Sequence, residues 1–372
     1  MFDGRVFVVA IGKAAESMCC GAYAAIGEKI SGGLIATKYK HSKNPPKGVK
    51  VIEAGHPSPD ENSVRAAEAA MELCAQLESR DTVLLLISGG GSALFESPVI
   101  PIEQLKELTD ALMKAGCDIG ELNCVRKHLS RVKGGRFALH CAPARLECLI
   151  LSDVIGDPLD VIASGIACPD PTTVEQAQGI LDKYGIAKAY PLEETPKSIA
   201  SVESRLVGNL KILCEAAKAK AEELGYTAEI LSDCVEGEAS EVAALLCERA
   251  LQLKREGVKG RLLIMGGETT VTVRGQGKGG RNQELALTAA VLLEGREGIA
   301  VFAVGSDGTD GPTEAAGGIV DGSTCGRLSG RRAEAYLADN DSYHGLKQAS
   351  ALIVTGPTGT NVNDLYCALI YK

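Results

Sequence analysis

Several short runs of this chain combine residue types that suit the handling of an anion. Gly12-Lys13 follows the apolar run Val6–Ile11, and Ser88-Gly89-Gly90-Gly91-Ser92 follows Thr82–Ile87. Ser152-Asp153 follows residues 146–151, Gly266-Gly267-Glu268 follows 262–265, and Ser306-Asp307 follows Gly305 and the run 299–304. In a parallel α/β sheet, ligands bind outside the carboxyl ends of the strands, so this co-location is the main functional signal. The backbone N–H groups of Ser88, Gly89, Gly90, Gly91 and Ser92 can wrap an anion. A helix N-terminus just beyond would add partial positive charge. A sharp turn is the plainer alternative, but three successive glycines cost backbone entropy on folding. Lys13 sits among Gly12, Ala14 and Ala15, which let a ligand approach closely.

Two basic stretches, Asn123-Cys124-Val125-Arg126-Lys127-His128 and Arg131-Val132-Lys133-Gly134-Gly135-Arg136, gather cations in an acidic protein. They read either as a solvated helix face or as an anion site, and the glycine pair beside Lys133 favours the latter, with Arg126 and Lys133 as phosphate or substrate ligands. Gly275-Gln276-Gly277-Lys278-Gly279-Gly280 fits G-x-G-x-x-G, with Asp307 past the next strand. A dinucleotide loop normally follows a strand buried on both faces, whereas Thr269–Arg274 alternates polar and apolar residues and reads as a half-wet antiparallel strand. A polyphosphate loop is the preferred reading, with Arg281 as a charge clamp and Asn282 beside it. Ser306-Asp307-Gly308-Thr309-Asp310-Gly311 and the Asp153–Asp157 run supply carboxylates. They read as Mg²⁺ ligands, with Asp153 and Asp310 foremost, or as Asp-Gly turns. No G-x-x-x-x-G-K-[ST] loop, protein-kinase set or G-x-S-x-G elbow occurs.

The elements that must position these residues alternate. Apolar strands are expected at 6–11, 33–37, 49–53, 82–87 and 146–151, with an amphipathic helix after Asp60. This predicts a parallel sheet covered on both faces. The pattern loosens across 190–204, dividing the chain into domains 1–195 and 200–372, the second opening with a strand at 205–208. Further elements are expected at 210–224, 227–231, 262–265, 282–293, 299–304 and, last, 351–354. The fold class is α/β, with a Rossmann-like doubly wound parallel sheet first and a mixed-sheet α/β domain second.

Composition narrows the function classes. The 372 residues carry a net charge of −9, with no tryptophan, so nucleic acid is an unsuitable partner. Thirteen cysteines without a C-x-x-C pair read as small buried hydrophobes in a reducing compartment. The start MFDGRVFVVAIGK is neither a signal peptide nor a membrane span, so a cytoplasmic protein is expected.

The runs Gly266–Val271, Gly279–Glu284, Ser306–Thr313 and Thr355–Asp364 resemble the C-terminal, MOFRL-type domain of the glycerate 2-kinase family. Gly12-Lys13-Ala14-Ala15, Gly55–Asp60, Ser88–Ala93, Asn123–Arg136 and Leu151–Asp157 are similar to that family's N-terminal domain. Where the family usually has a proline after Ser164-Gly165, this chain has Ile166. Family members usually carry a helical segment before the first strand, whereas this sequence opens almost at that strand. The resemblance implies transfer of the ATP γ-phosphoryl group to D-glycerate, giving 2-phosphoglycerate, with Mg²⁺ required. Lys13 and Arg281 match the family's basic active-site positions, in different domains, so closure of an interdomain cleft is expected to bring them together. Asp307 or Asp153 would hold Mg²⁺ or accept the hydroxyl proton. The alternatives are an NAD(P)H-dependent hydroxypyruvate reductase and a non-catalytic anion sensor. The oligomeric state is left open, a homodimer included.

Overall fold

The computed structural model describes residues 3–200 and 202–371. They fall into two compact units, Met1–Val207 and Gly208–Lys372.

The first unit runs β1 (Val6–Ile11), α1 (Ala15–Ile26), β2 (Ile30–Lys38), β3 (Val49–Ala54), α2 (Glu61–Cys74), β4 (Thr82–Ile87), α3 (Gly91–Leu94), α4 (Ile102–Lys114), α5 (Ile119–His128), α6 (Arg136–Cys141), β5 (Arg145–Leu151), α7 (Val174–Lys183) and β6 (Val202–Gly208). Its sheet has the order β3-β2-β1-β4-β5-β6, and β1 to β5 pair in parallel. This is the doubly wound order whose direction reverses between β1 and β4. The apolar runs explain it. Successive side chains of β1 point to opposite faces. Val6, Val8 and Ala10 pack with Ala15 and Cys19 of α1. Val9 and Ile11 pack with Ala66, Ala67 and Ala70 of α2. Asp60 starts α2 as expected: its carboxylate accepts from the N–H groups of Asn62 and Ser63, and Ser63 Oγ returns a bond to Asp60 N.

One boundary differs from the expectation. The strand expected to open the second domain is β6, and it lies beside β5 at the edge of the first sheet. Glu203 of β6 meets Arg145 of β5 at 2.8 Å. An exposed edge strand has no apolar alternation to reveal which sheet it joins.

The second unit runs α8 (Leu210–Glu223), β7 (Thr227–Glu238), α9 (Ala239–Arg255), β8 (Arg261–Thr270), α10 (Arg281–Leu292), β9 (Ile299–Gly305), β10 (Gly317–Asp321), α11 (Ala333–Ala338), α12 (Ser342–Gln348), β11 (Leu352–Ile353) and β12 (Asp364–Ile370). Its mixed sheet has the order β11-β10-β9-β12-β8-β7. β7 and β8 are parallel, and β12 runs antiparallel to both neighbours. The final strand is therefore β12, not 351–354, and it is central and almost wholly buried. Thr269 and Thr270 extend β8 parallel to β7, so the expected antiparallel strand at 269–274 does not form. Because β12 runs backwards, its first residue, Asp364, faces Gly267 of β8 and Gly305 of β9. Among the described residues no helix is long and apolar enough to cross a membrane.

Candidate active site

In the first unit the expected residues gather at the carboxyl ends of β1, β3, β4 and β5. Gly12 has φ +109°, and a Cβ there would collide with Ser88. Ser88 Oγ donates to Ile11 O (3.0 Å) and accepts from Ala14 N (3.1 Å), while Lys13 N donates to Gly89 O (2.9 Å). The β1–α1 turn and the glycine loop are thereby fastened together, which fixes the root of Lys13. Its half-buried side chain makes no ion pair or hydrogen bond among the described residues. The N–H groups of Gly89 and Gly90 donate to no protein acceptor among those residues. The helix after the loop, α3, is a single turn, so the expected helix dipole is weak and the loop's own N–H groups carry the anion affinity.

Other groups surround this loop. The Asp153 carboxylate lies against Gly89, where any side chain would displace it. The His56 ring lies against Gly90, 2.9 Å from where a Cβ would stand. His56 lies in the Gly55–Asp60 run, just after β3. Burial, then the charges of Lys13, Lys38 and His41, push its pKa down to about 4. A neutral imidazole thus sits in a field of cations.

Lys133 corrects an expectation. It is fully buried, ion-paired with the equally buried Glu96 at 2.7 Å, and donates to Ser92 O (2.8 Å) and Phe95 O (3.3 Å). All three of its donors serve the loop's scaffold, so it has none for a phosphate. Gly134 and Gly135 likewise bind Ser164 O and Gly165 O rather than a ligand. They clasp a turn in which Ala163, Ser164 and Gly165 all have positive φ. Two non-glycine residues there cost about 1–2 kcal/mol each. Arg126 Nη2 donates to Ser92 O at 3.0 Å, which brings it to the end of the glycine loop.

In the second unit, the ends of β8 and β9 and the start of β12 meet the start of α10. A cavity of about 460 Å³ opens here, lined in part by Thr270, Arg281, Asp307, Asn361 and Asp364. Arg281 is held in a fork. Its Nε and Nη2 reach the Asp364 carboxylate at 2.5 and 3.3 Å, and its Nη1 reaches Glu268 at 2.8 Å. Burial opposes the charge, but Asp364 and Glu268 together hold the guanidinium more firmly protonated than usual. Burial pushes the Asp364 carboxyl up against the pull of Arg281. Asp364 was not expected as a site residue. A cation in a loop of small residues needs a buried counter-charge, but only the reversed β12 shows which one.

Two further expectations change. Residues 275–278 of the Gly275–Gly280 loop do not form an open phosphate cradle. Asn340 Oδ1 accepts from Arg274 N and Gly275 N, Asp339 takes Gln276 N and Gly277 N, and Asp341 Oδ1 takes Lys278 N. Asp310 is unsuited to a metal. One of its oxygens accepts from Asn282 N, the other from Gln283 N and Nε2, so it caps α10. Asn282 is buried and bonded to the same carboxylate. Asp307 differs: Oδ1 accepts from Thr309, and Oδ2 accepts no hydrogen bond among the described residues. Asp153 belongs to the first unit and Asp307 to the second. No group of three or more metal-ligating side chains occurs among the described residues, so any divalent ion would need substrate oxygens as well.

Two family descriptions match the chain: a domain of unknown function, DUF4147, over residues 2–196, and the MOFRL family over 261–364. A relative from Thermotoga maritima, named D-glycerate 2-kinase, is 51% identical over 98% of this chain and 91% of its own. A crystal structure of a glycerate kinase from the same organism superposes with a TM-score of 0.96 at 50% identity, covering 99% of this chain and 92% of that one. A relative in Agrobacterium vitis, 40% identical over 99% of this chain and 87% of its own, carries the provisional name hydroxypyruvate reductase.

Proposed function

The chain belongs to the glycerate 2-kinase family, and from that premise we propose that it transfers the γ-phosphoryl group of ATP to the 2-hydroxyl of D-glycerate. The observation that carries this reading is the open loop at the β1/β4 switch point. It offers two N–H groups without an acceptor and a cation without a counter-ion among the described residues, beside a neutral histidine, which together favour a multiply charged anion.

Phosphoryl transfer depends chiefly on positioning and charge stabilisation. Lys13 neutralises charge on the transferring group, while the Gly89 and Gly90 N–H groups hold it in place. Arg281, kept planar and charged by Asp364 and Glu268, supplies a second preorganised cation. Asp153 of the first unit or Asp307 of the second would be the carboxylate for Mg²⁺, which would arrive with the nucleotide and offset phosphate charge. The thirteen cysteines are all free thiols, which suits a cytoplasmic enzyme.

The reductase reading relied on the Gly275–Gly280 loop, and the N–H groups of Gly275, Gln276, Gly277 and Lys278 in that loop are already taken by Asp339, Asn340 and Asp341. The test is to incubate the protein with D-glycerate, ATP and Mg²⁺ and follow products by phosphorus NMR. A parallel sample contains hydroxypyruvate and NADH. A 2-phosphoglycerate signal with stable NADH is expected. Loss of NADH absorbance without phosphoglycerate would overturn the proposal.

A further inference from the structure

We infer that Arg126 and Asn123 of α5, in the polar nook bounded by Ser92 and Ser164, form the receptor for the carboxylate of an α-hydroxy acid. The inference rests on the reading of the adjoining glycine loop as the phosphoryl-handling site.

Charge comes first. Arg126, Lys133 and Glu96 form a buried cluster in which one carboxylate serves two cations. Glu96 lies 2.7 Å from Lys133 Nζ but 3.9 Å from Arg126 Nη2. The Arg126 side chain is only 13% exposed, and its one hydrogen bond goes to a neutral acceptor, Ser92 O. Its Nε and Nη1 donate to no protein atom among the described residues. A desolvated guanidinium with spare donors and no close counter-ion favours an incoming anion. The pKa of Lys133, pushed down to about 8 by burial and further by Arg126, reflects the same shortage of negative charge.

Geometry then narrows the anion. Asn123 lies one turn before Arg126, so both side chains emerge on one face of α5. Ser164 Oγ donates to Asn123 Oδ1 (3.3 Å) and shares a 2.9 Å bond with Ser92 Oγ. The amide oxygen is thereby occupied, and Nδ2, which has no protein acceptor among the described residues, is the group turned to a ligand. The strained turn at Ala163 and Ser164, clasped by Gly134 and Gly135, holds that relay in place. One planar guanidinium edge and one amide N–H match a single carboxylate. A phosphate has the neighbouring loop, with Lys13 and two backbone donors. Ser92, whose carbonyl Arg126 grips, directly follows that loop, so the acid is held at the end of the phosphate cradle. Asn123 and Ser164 act by positioning and selecting the carboxylate.

The test measures binding of D-glycerate, D-lactate and glycerol to the full chain by calorimetry, together with KM for D-glycerate and for ATP. The wild type should bind both hydroxy acids and not the neutral triol. Arg126→Gln and Asn123→Asp should each weaken D-glycerate binding by about 30-fold or more while KM for ATP stays within about 3-fold. Asn123→Asp should be worse than Asn123→Ala, because it sets a like charge against the carboxylate. Asn123→Asp also leaves the Arg126 grip on Ser92 intact, so it remains informative if Arg126→Gln melts early. Variants that bind D-glycerate like the wild type, or that lose ATP instead, would overturn the inference. Hydroxy-acid binding that vanishes in the variants without any phosphoglycerate production would sustain the receptor and sink the kinase. Phosphoglycerate production insensitive to both variants would do the reverse.

Discussion

Residues 88–90 in the first unit and 275–278 in the second belong to glycine-rich loops that lead to a helix, yet their backbone donors end differently. Those of Gly89 and Gly90, beside Lys13, meet no protein acceptor among the described residues. Gly275, Gln276, Gly277 and Lys278 give theirs to Asp339, Asn340 and Asp341. The surrounding fields also have opposite signs. Around the first loop, burial and then the charges of Lys13, Lys38 and His41 push His56 down to about 4. At the start of α10, burial and the charges of Glu238 and Asp310 push Glu284 up to about 7. Glycine gives backbone access to both loops, and what the chain packs against that backbone decides whether the access is left for a ligand.

The largest expected effect tests this contrast directly. Lys13→Ala should lower kcat/KM for D-glycerate phosphorylation by about 10²–10³-fold, as loss of a preorganised charge does, with an unchanged circular dichroism spectrum. Lys278→Ala, the matching change in the closed loop, should stay within about 3-fold, since its cation stacks on Tyr343 (4.7 Å). Equal losses from the two would show the second loop to be a phosphate site and break the comparison.

A smaller effect probes what closes the second loop. Asn340 has φ +53°, which asparagine tolerates, and its Oδ1 accepts two backbone donors. Asn340→Ala removes both bonds and strains the backbone, so urea unfolding of the second unit should show a loss of about 2–3 kcal/mol. KM for ATP should not move. A variant with unchanged stability but altered ATP binding would mean that the 339–341 segment guards a ligand site rather than completing the fold.

This contrast was only half legible in the sequence. Apolar strands ending in Gly12-Lys13, Ser88–Ser92 and Asp153 declare a parallel sheet and its functional edge, because both the burial pattern and the glycine punctuation are local. The filling of 275–280 is not local: Asp339–Asp341 lie far along the chain, and nothing in either stretch names the other. Lys133 was misread for the same reason, since its partner Glu96 lies in a distant loop after α3. The short β10, between β11 and β9, and the central β12 escaped too. β10 begins with two glycines and β12 with an aspartate, so neither opens like a strand. With β12 unseen, Asp364 could not be recognised as the counter-charge of Arg281.

The smallest expected effect separates the two fields by pH. Glu284 is pushed up to about 7, first by burial and then by Glu238 and Asp310. Between the ordinary glutamate value, about 4.3, and 7 the folded chain therefore binds more protons here than the unfolded chain, so stability falls as pH rises through that window. His56 works the other way. Neutral when folded down to about 4, it protonates more readily in the unfolded chain, and stability falls as pH drops from about 6.5. Glu284→Gln should thus stabilise the second unit by about 1–2 kcal/mol at pH 8, a figure discounted for the side chain's partial exposure, and by almost nothing at pH 4.5. His56→Asn should flatten the acid-side loss of the first unit and leave its alkaline side untouched. Urea unfolding of both variants from pH 4.5 to 8 checks the pair together. A Glu284→Gln gain confined to low pH would reverse the sign of the field assigned to the start of α10.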